Sequence, residues 1–340
     1  MNVFRFGVAA VATILFLLPL SAQEKRSHKF SGYMFGDYYY VAANHDSANE
    51  NLNGFWFRRI YFTYDHVLSE DFAIRLRLEL NSPGDFTTSS KIEPFAKDAY
   101  LKWKLSDYQI LFGLSSTPTW DVIEKIWGYR SVEKTPLDLQ KFGSSRDLGI
   151  AIKGHLDQRK RVNYHVMFAN GAGTKSETNK GKKILGSFGF KPDDSIILEV
   201  YGDWEDRGDP TRYTVQGFAA YQTDKARLGV HFASQTRTAS GKEDENLEIA
   251  SVFVAGELSD KVQAFARYDH MFDPAPSGIS YIPFDNTAGS SNLIVAGLDY
   301  SPANNVHFMP NLEVVIYGEN AGGTKPDSDV IPRLTAYYKF

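Results

Sequence analysis

The sequence predicts an all-β protein: a transmembrane, up-and-down antiparallel β-barrel of sixteen strands with a long third loop folded inward. Three observations predict it. From Phe30 onward, short segments alternate apolar and polar residues with period two, the mark of a strand with one apolar and one polar face. The connections between these segments alternate between short and long. After Leu20 no stretch is apolar over the length a membrane helix needs, so a membrane would be crossed by strands.

Met1 to Ala22 reads as a secretory signal. Arg5 stands in a short leading region, an almost unbroken apolar run follows from Phe6 to Leu20, and small residues, Ser21 and Ala22, precede Gln23. The barrel is expected over residues 23–340. Taking Arg5 from the 37 Lys and Arg leaves a net charge of −5 against 41 Asp and Glu, which excludes a general nucleic-acid binder. Cysteine is absent, so disulfides and thiolate metal sites are excluded. A mean hydropathy of −0.33 suits strands that are apolar on one face only. The Tyr-rich aromatic content suits interfacial girdles.

The first strand is read at 30–42 and the second, after a polar loop, at 54–67. The third, 72–80, is the cleanest: Phe72, Ile74, Leu76, Leu78 and Leu80 alternate with Ala73, Arg75, Arg77 and Glu79. Loop 81–94 leads to the fourth, 95–105, with Asp98, Tyr100, Lys102 and Lys104 on its polar face. The fifth is 108–114, followed by the longest connection, 115–145. The sixth, 146–156, sets Leu148, Ile150, Ile152 and Leu156 on one face. The seventh, 162–170, turns Val162, Tyr164, Val166 and Phe168 outward and Asn163 and His165 inward.

The remaining strands are read at 183–191, 196–204, 212–222, 226–235, 247–257, 262–271, 292–300, 306–317 and 329–340. In 183–191 and 247–257 alternation does not choose a face. Tight turns at one end and long loops at the other are the signature of an up-and-down barrel, and an even strand count puts both termini at the short-turn end. In the last strand Leu334, Ala336, Tyr338 and Phe340 oppose Arg333, Thr335, Tyr337 and Lys339. It must pair with the first to abolish the sheet edges. This ending resembles the C-terminal signal of bacterial outer-membrane proteins, which implies that Tyr338 and Phe340 are recognised by the barrel-assembly machinery.

Sixteen strands enclose a water-filled channel unless something fills it. Segment 115–145 is too long and too rich in Trp, Ile and Leu to lie in solvent, and 121–127 suits a short helix. Its carboxylates, Asp121, Glu124, Glu133 and Asp138, alternate with Lys125, Arg130, Lys134 and Lys141. Across a channel such charges form a constriction that sets ion preference; paired with one another, they pin the loop to the wall. By strand parity Arg59, Arg75, Arg77, Lys102 and Lys104 face the loop, with Asp65, Glu79 and Asp98 among them. That wall either draws small anions or simply keeps the lumen wet. The candidate solute path is therefore Arg59, Arg75, Arg77, Lys102, Lys104, Lys125, Arg130, Glu133 and Lys134. Alternation points Arg58 to lipid beside Ile60 and Phe62, unless it snorkels or marks a bulge.

Other chemistry is thin, and neither an enzyme nor a cofactor is expected. His45, Asp46 and Ser47 are triad residue types, but loop neighbours cannot adopt triad geometry. Asn170 to Ser176 lacks the glycine before the lysine that a phosphate loop needs. Asp203, Glu205, Asp206 and Asp209 could hold calcium, with solvated acids as the plainer reading.

In their order, the stretches GFWFRRIYFTYDHVLSEDFAIRLRLEL, KDAYLKWKL, ILFGLSSTPTW, SRDLGIAIKG and NYHVMFANGAG resemble the phosphate-selective porin family. There an Arg-Arg pair opens an early strand, an Asp-Ala-Tyr strand follows, and a Gly-x-x-x-x-Pro segment leads into the third loop. The likeness runs over residues 30–173 and fades afterward. It implies a trimeric, sixteen-stranded diffusion porin of a bacterial outer membrane, bathed in lipid and lipopolysaccharide and passing small hydrophilic solutes. Phosphate selectivity is not carried over, because the sequence does not place the lumen Arg and Lys one by one. Two other classes stay open: a closed barrel whose third loop is a plug, acting as a surface receptor or adhesin, and an outer-membrane hydrolase. Strongly apolar inward faces would favour the plug; a lumen of both charge signs favours the pore.

Overall fold

In lipid, alternating strands satisfy every backbone N–H and C=O only by pairing side by side until the last meets the first. The computed structural model, which describes residues 27–82, 89, 91–208, 210–276 and 284–340, has this architecture. The segment read as a signal, 1–22, lies outside the described residues. The first half comprises β1 (His28–Tyr40), β2 (Asn53–Val67), β3 (Phe72–Asn81), β4 (Glu93–Lys104), β5 (Tyr108–Ser116), β6 (Arg146–His155), β7 (Val162–Ala169) and β8 (Lys183–Phe190). The second comprises β9 (Ile196–Asp206), β10 (Thr211–Gln222), β11 (Ala226–Thr238), β12 (Glu245–Ser259), β13 (Val262–Met271), β14 (Ser291–Ala303), β15 (Val306–Tyr317) and β16 (Asp329–Lys339). Each strand pairs antiparallel with its sequence neighbours, and β1 closes onto β16. All sixteen expected strands are present, with ends moved by at most three residues.

Closure runs from Tyr33 opposite Lys339 to Tyr39 opposite Arg333. At its end Gly32 N–H donates to Phe340 O (3.0 Å) and Phe340 N–H returns a bond to Gly32 O (2.9 Å). The Phe340 ring covers Gly32: a Cβ there would stand 2.5 Å from Phe340 Cζ and 2.5 Å from Tyr61 O. The seam thus places the terminal aromatic on a position where only glycine fits.

The outer face is an apolar belt that includes Phe62, Leu76, Phe112, Val166, Val200, Val230 and Val254, all exposed. Phe30, Trp103, Tyr108, Tyr221, Tyr300 and Tyr338 ring it near the short turns, and Tyr38, Phe55, Trp204, Tyr213 and Tyr268 near the long loops. An apolar surface of this extent flanked by aromatic girdles requires lipid. Among the described residues no helix is long and apolar enough to cross a membrane.

The third loop folds into the barrel. Its first helix, α1 (Asp121–Trp127), carries Asp121 and Glu124 in its first turn, where they complement the helix dipole. It ends at Gly128, whose φ of 74° is left-handed and whose N–H caps Glu124 O. The second, α2 (Pro136–Leu139), starts on proline, which has no N–H to leave unpaired. Trp120, Ile123, Trp127, Val132, Leu137 and Phe142 of the loop form one buried cluster with Phe218, Leu247, Ile249, Phe253, Phe265, Leu293, Val295 and Met309 of the wall.

This docking explains the two strands whose alternation chose no face. In β12 the inward residues Leu247, Ile249, Phe253 and Ala255 are apolar and buried because they meet the loop, while Val252 and Val254 meet lipid. In β8 Lys183, Leu185 and Ser187 point inward, and Ile184, Phe188 and Phe190 outward. The barrel interior is therefore two-sided: the apolar cluster under the loop lies on β10–β15, alongside the buried Arg267, Asp269 and Glu313, and the charges that face the loop lie on β2–β6.

Two β-bulges bring cations onto the inner face. The β1–β2 register slips between Phe35 and Gly36, leaving Arg58 as the extra residue. Arg58 is fully buried, so its expected lipid-facing position is corrected in favour of the bulge. The β3–β4 register slips between Arg77 and Leu78, and the extra residue Lys97 turns in to Glu79.

Candidate functional site: a charged constriction

The loop is held against the wall by arginines that end on backbone oxygens. Arg58 donates to Ser131 O (3.0 Å) and to Val132 O; Arg267 Nη1 donates to Lys134 O (2.6 Å) and Arg227 Nε to Trp127 O (3.3 Å). The Arg267 guanidinium also lies 5.1 Å from the Trp127 ring centroid, a cation–π contact. Gln216 Nε2 and Gln235 Nε2 donate to Thr119 O (3.0 Å) and Phe142 O (2.6 Å). Glu133, with no exposed surface, stands between Arg58 (3.4 Å) and Arg333 (3.5 Å), which pair in turn with Asp37 (3.4 Å) and Glu313 (2.7 Å). A buried carboxylate needs such partners to remain charged. Glu133 therefore sits at the anchor of the loop rather than on the water-facing side of the lumen.

The free side of the loop presents Asp121, Glu124, Lys125, Arg130 and Asp138. Arg130 bridges Glu124 (3.4 Å) and Asp138 (3.1 Å) within the loop. Lys125 is exposed in the last turn of α1. Lys134 is half-buried, and its carbonyl is engaged by Arg267. Facing them on β2–β6, Arg59 pairs with Glu79 (2.7 Å), as does Lys97 (2.9 Å). Arg77 (3.4 Å) and Arg146 share Asp98. Asp138 of the loop interacts electrostatically with both Lys97 and Arg59, and Glu124 with Arg146. The loop and this wall are therefore close enough to form the two sides of one constriction.

Toward the short-turn end the same wall continues with Arg75, held by both oxygens of Asp65 (2.7 and 3.0 Å). Lys102, Lys104 and Lys153 follow. Lys102 feels like charge from Arg75, Lys104 and Lys153, and it makes no hydrogen bond or ion pair among the described residues. Of the nine path residues expected from sequence, Arg59, Arg75, Arg77, Lys102 and Lys104 lie along one wall and Lys125 and Arg130 on the facing loop. Glu133 lies behind the loop and Lys134 beside it. Lys97 and Arg146 belong to the wall but were not anticipated: strict alternation turns Lys97 outward, and Arg146 stands at a strand start. The clamps Arg227, Arg267 and Arg333 read in sequence only as alternating strand residues.

Asp203 and Glu205 face inward and grip Lys183 (3.2 and 3.1 Å), so they are neither solvated nor open to a cation; Asp209 lies outside the described residues. Asp46 caps a short turn through Ala48 N–H (3.0 Å), while His45 faces Asp329 (2.8 Å) and Tyr317 (3.3 Å). Among the described residues no Ser or Thr hydroxyl hydrogen-bonds the His45 ring.

The fold of this chain is similar to that of solved barrels. The anion-selective porin from Comamonas acidovorans matches with a TM-score of 0.67 at 12% identity, over 93% of this chain and 100% of that one. In-vitro folded OmpT of Vibrio cholerae, in a trimer form, matches at 0.65 and 13% identity, over 93% and 99%. Salmonella typhi OmpF, in complex with daunomycin, matches at 0.64 and 10%, over 93% and 98%. At such identities the likeness establishes the porin fold. No protein-family model and no curated protein sequence matches the chain. The phosphate-selective family is therefore not confirmed, and a sixteen-strand barrel fits a general porin.

Proposed function

We propose that the protein is an outer-membrane porin, exported through a cleaved signal, through which small hydrophilic solutes diffuse passively and anions pass preferentially. The observation that carries the anion preference is the uneven wall. Along β2–β6, Arg59, Arg75, Arg77, Lys97, Lys102, Lys104, Arg146 and Lys153 outnumber Asp65, Glu79, Asp98 and Asp147. In a lumen with low-dielectric walls a local excess of one sign concentrates the opposite ion, whatever the net charge of the whole chain. The anion-selective neighbour supports this direction, and the trimer form of another supports a homotrimer. The apolar inward face, which would favour a plug, is covered by the loop itself, and the wall that faces the loop's other side carries both charge signs. That arrangement favours a narrowed pore over a closed receptor.

Planar-bilayer recording across a KCl gradient tests the reading. Stable steps whose reversal potential has the sign of chloride selectivity support it. Folded, heat-modifiable protein that gives no steps would overturn the pore and leave the receptor.

A further inference from the structure

Below α1, toward the short-turn end, the lumen wall of β5–β9 encloses a pocket of about 420 Å³. It is bipolar. Lys153 lies on its β6 side, Glu199 on its β9 side, and Asp121 of the loop above. Two buried polar groups line it without using their bonding capacity. Glu199 is 3% exposed and His165 7%, and Glu199 Oε1 and His165 Nε2 have no hydrogen-bond partner. Among the described residues no cation lies within ion-pair distance of Glu199. Elsewhere along the described lumen the buried carboxylates Glu79, Asp98, Glu133, Asp203, Glu205, Asp269 and Glu313 each hold an Arg or a Lys, and the buried Asp147 accepts from the backbone N–H groups of Leu148 and Gly171, both at 2.9 Å. A buried carboxylate left without a cation is costly, and an orphaned polar group in a cavity asks what fills it.

The strand register sets the spacing. Lys153 pairs with His165, and His165 with Ser187, in one row across β6, β7 and β8. Ser187 pairs with Tyr201, and Glu199 stands two residues along the same strand. Three strand steps and the two-residue offset separate the Lys153 and Glu199 backbones by about 16 Å. Two long side chains reaching toward each other shorten that gap to the scale of a small ligand with opposite charges at its two ends. His165 and Ser187 line the interval with neutral hydrogen-bonding groups.

We propose that this pocket is a binding subsite for compact zwitterions of the α-amino-acid type, with the ligand ammonium on Glu199 and Asp121 and its carboxylate on Lys153. The ammonium supplies the cation that Glu199 lacks, and the carboxylate competes for Lys153, which sits 3.7 Å from Asp121. The inference rests on the lumen being an open solute path, since the ligand must reach the pocket from the water inside the barrel.

Calorimetric titration of the refolded full barrel in detergent micelles tests it with glycine as probe. Glycine methyl ester, which has lost the anionic end, and N-acetylglycine, which has lost the cationic one, are the controls. Saturable glycine binding at least ten-fold tighter than either control, weakened at least ten-fold by Glu199→Gln, supports the subsite. N-acetylglycine binding as tightly as glycine overturns it in favour of a plain anion site, and the methyl ester doing so overturns it in favour of a plain cation site. If Glu199→Gln does not fold, the three ligands on the unaltered protein still decide. Bilayer recording separates the two levels of failure: conducting steps with no glycine binding sink the subsite alone, whereas silence sinks the pore.

Discussion

Replacing Glu133 by Gln should release the third loop without opening the barrel. The substitution keeps the shape and removes the charge that Arg58 and Arg333 share at 3.4 and 3.5 Å. Breaking a buried ion pair from one side costs about 3–5 kcal/mol. The lower end applies, because Arg58 keeps Asp37 and Arg333 keeps Glu313. A loss of about 3 kcal/mol raises the undocked population of the loop roughly 150-fold. The chain has no cysteine, so a single one at Val132, a loop residue fully buried between the loop and the wall, reports only on undocking. A small water-soluble thiol reagent should label Val132→Cys slowly, and Val132→Cys with Glu133→Gln roughly a hundred times faster, since labelling of a transiently opened site follows the open population. Heat-modifiable migration should stay unchanged, because the sixteen-strand ladder does not pass through Glu133. A labelling rate that rises less than three-fold would refute the anchoring role.

Three further outcomes are expected. Exchanging Arg75 and Arg77 together for Glu should move the reversal potential toward cations; an unmoved potential would remove both from the constriction. At the long-loop mouth, hydrogen bonding to Asp329 outweighs burial and raises the His45 imidazole above its ordinary value, helped by the charges of Asp285 and Asp46. A raised value means a stabilisation that is full below the ordinary pKa and lost as pH climbs through the raised one. Amide protection at residues 43–49, corrected for intrinsic exchange, should therefore fall as pH rises above about 6.5 and stay flat in His45→Gln; the same slope in both proteins would clear His45. Gly32→Val should slow barrel closure, because its side chain needs the space of Phe340 and Tyr61 O. Overpacking of this kind costs about 1–3 kcal/mol, and a wild-type folded fraction on unheated gels would contradict it.

The fold was legible because lipid leaves the backbone little choice. Once water is excluded, alternation and the rhythm of turns determine strand, face and closure, and the register follows one residue at a time. The reading failed where that physics is suspended. Arg58 and Lys97 sit on bulges, which insert one residue and reverse parity without any local warning beyond a charge in the wrong place. In β12 both faces are apolar for different reasons, lipid on one side and Trp127 on the other. The constriction was partly legible, since parity put Arg59, Arg75 and Arg77 on the inner wall. Its clamps were not: Arg227, Arg267 and Arg333 act on backbone oxygens a hundred or more residues away, or on Glu133, and no periodicity encodes which inward arginine meets the loop.

The two-sided interior also bears on the order in which the molecule can be made. Strands β10–β15 would present Phe218, Ile249, Phe253, Phe265 and Val295 to water if the barrel closed before the third loop arrived. Excising the loop should therefore widen the bore and also expose this lining, so that the barrel folds less well as well as conducting more. The loop behaves less like a gate hung in a finished pipe than like the inner half of a globular core for which the strands are the outer half. Its contribution to permeability and its contribution to folding are consequently one property, and selection on either acts on both.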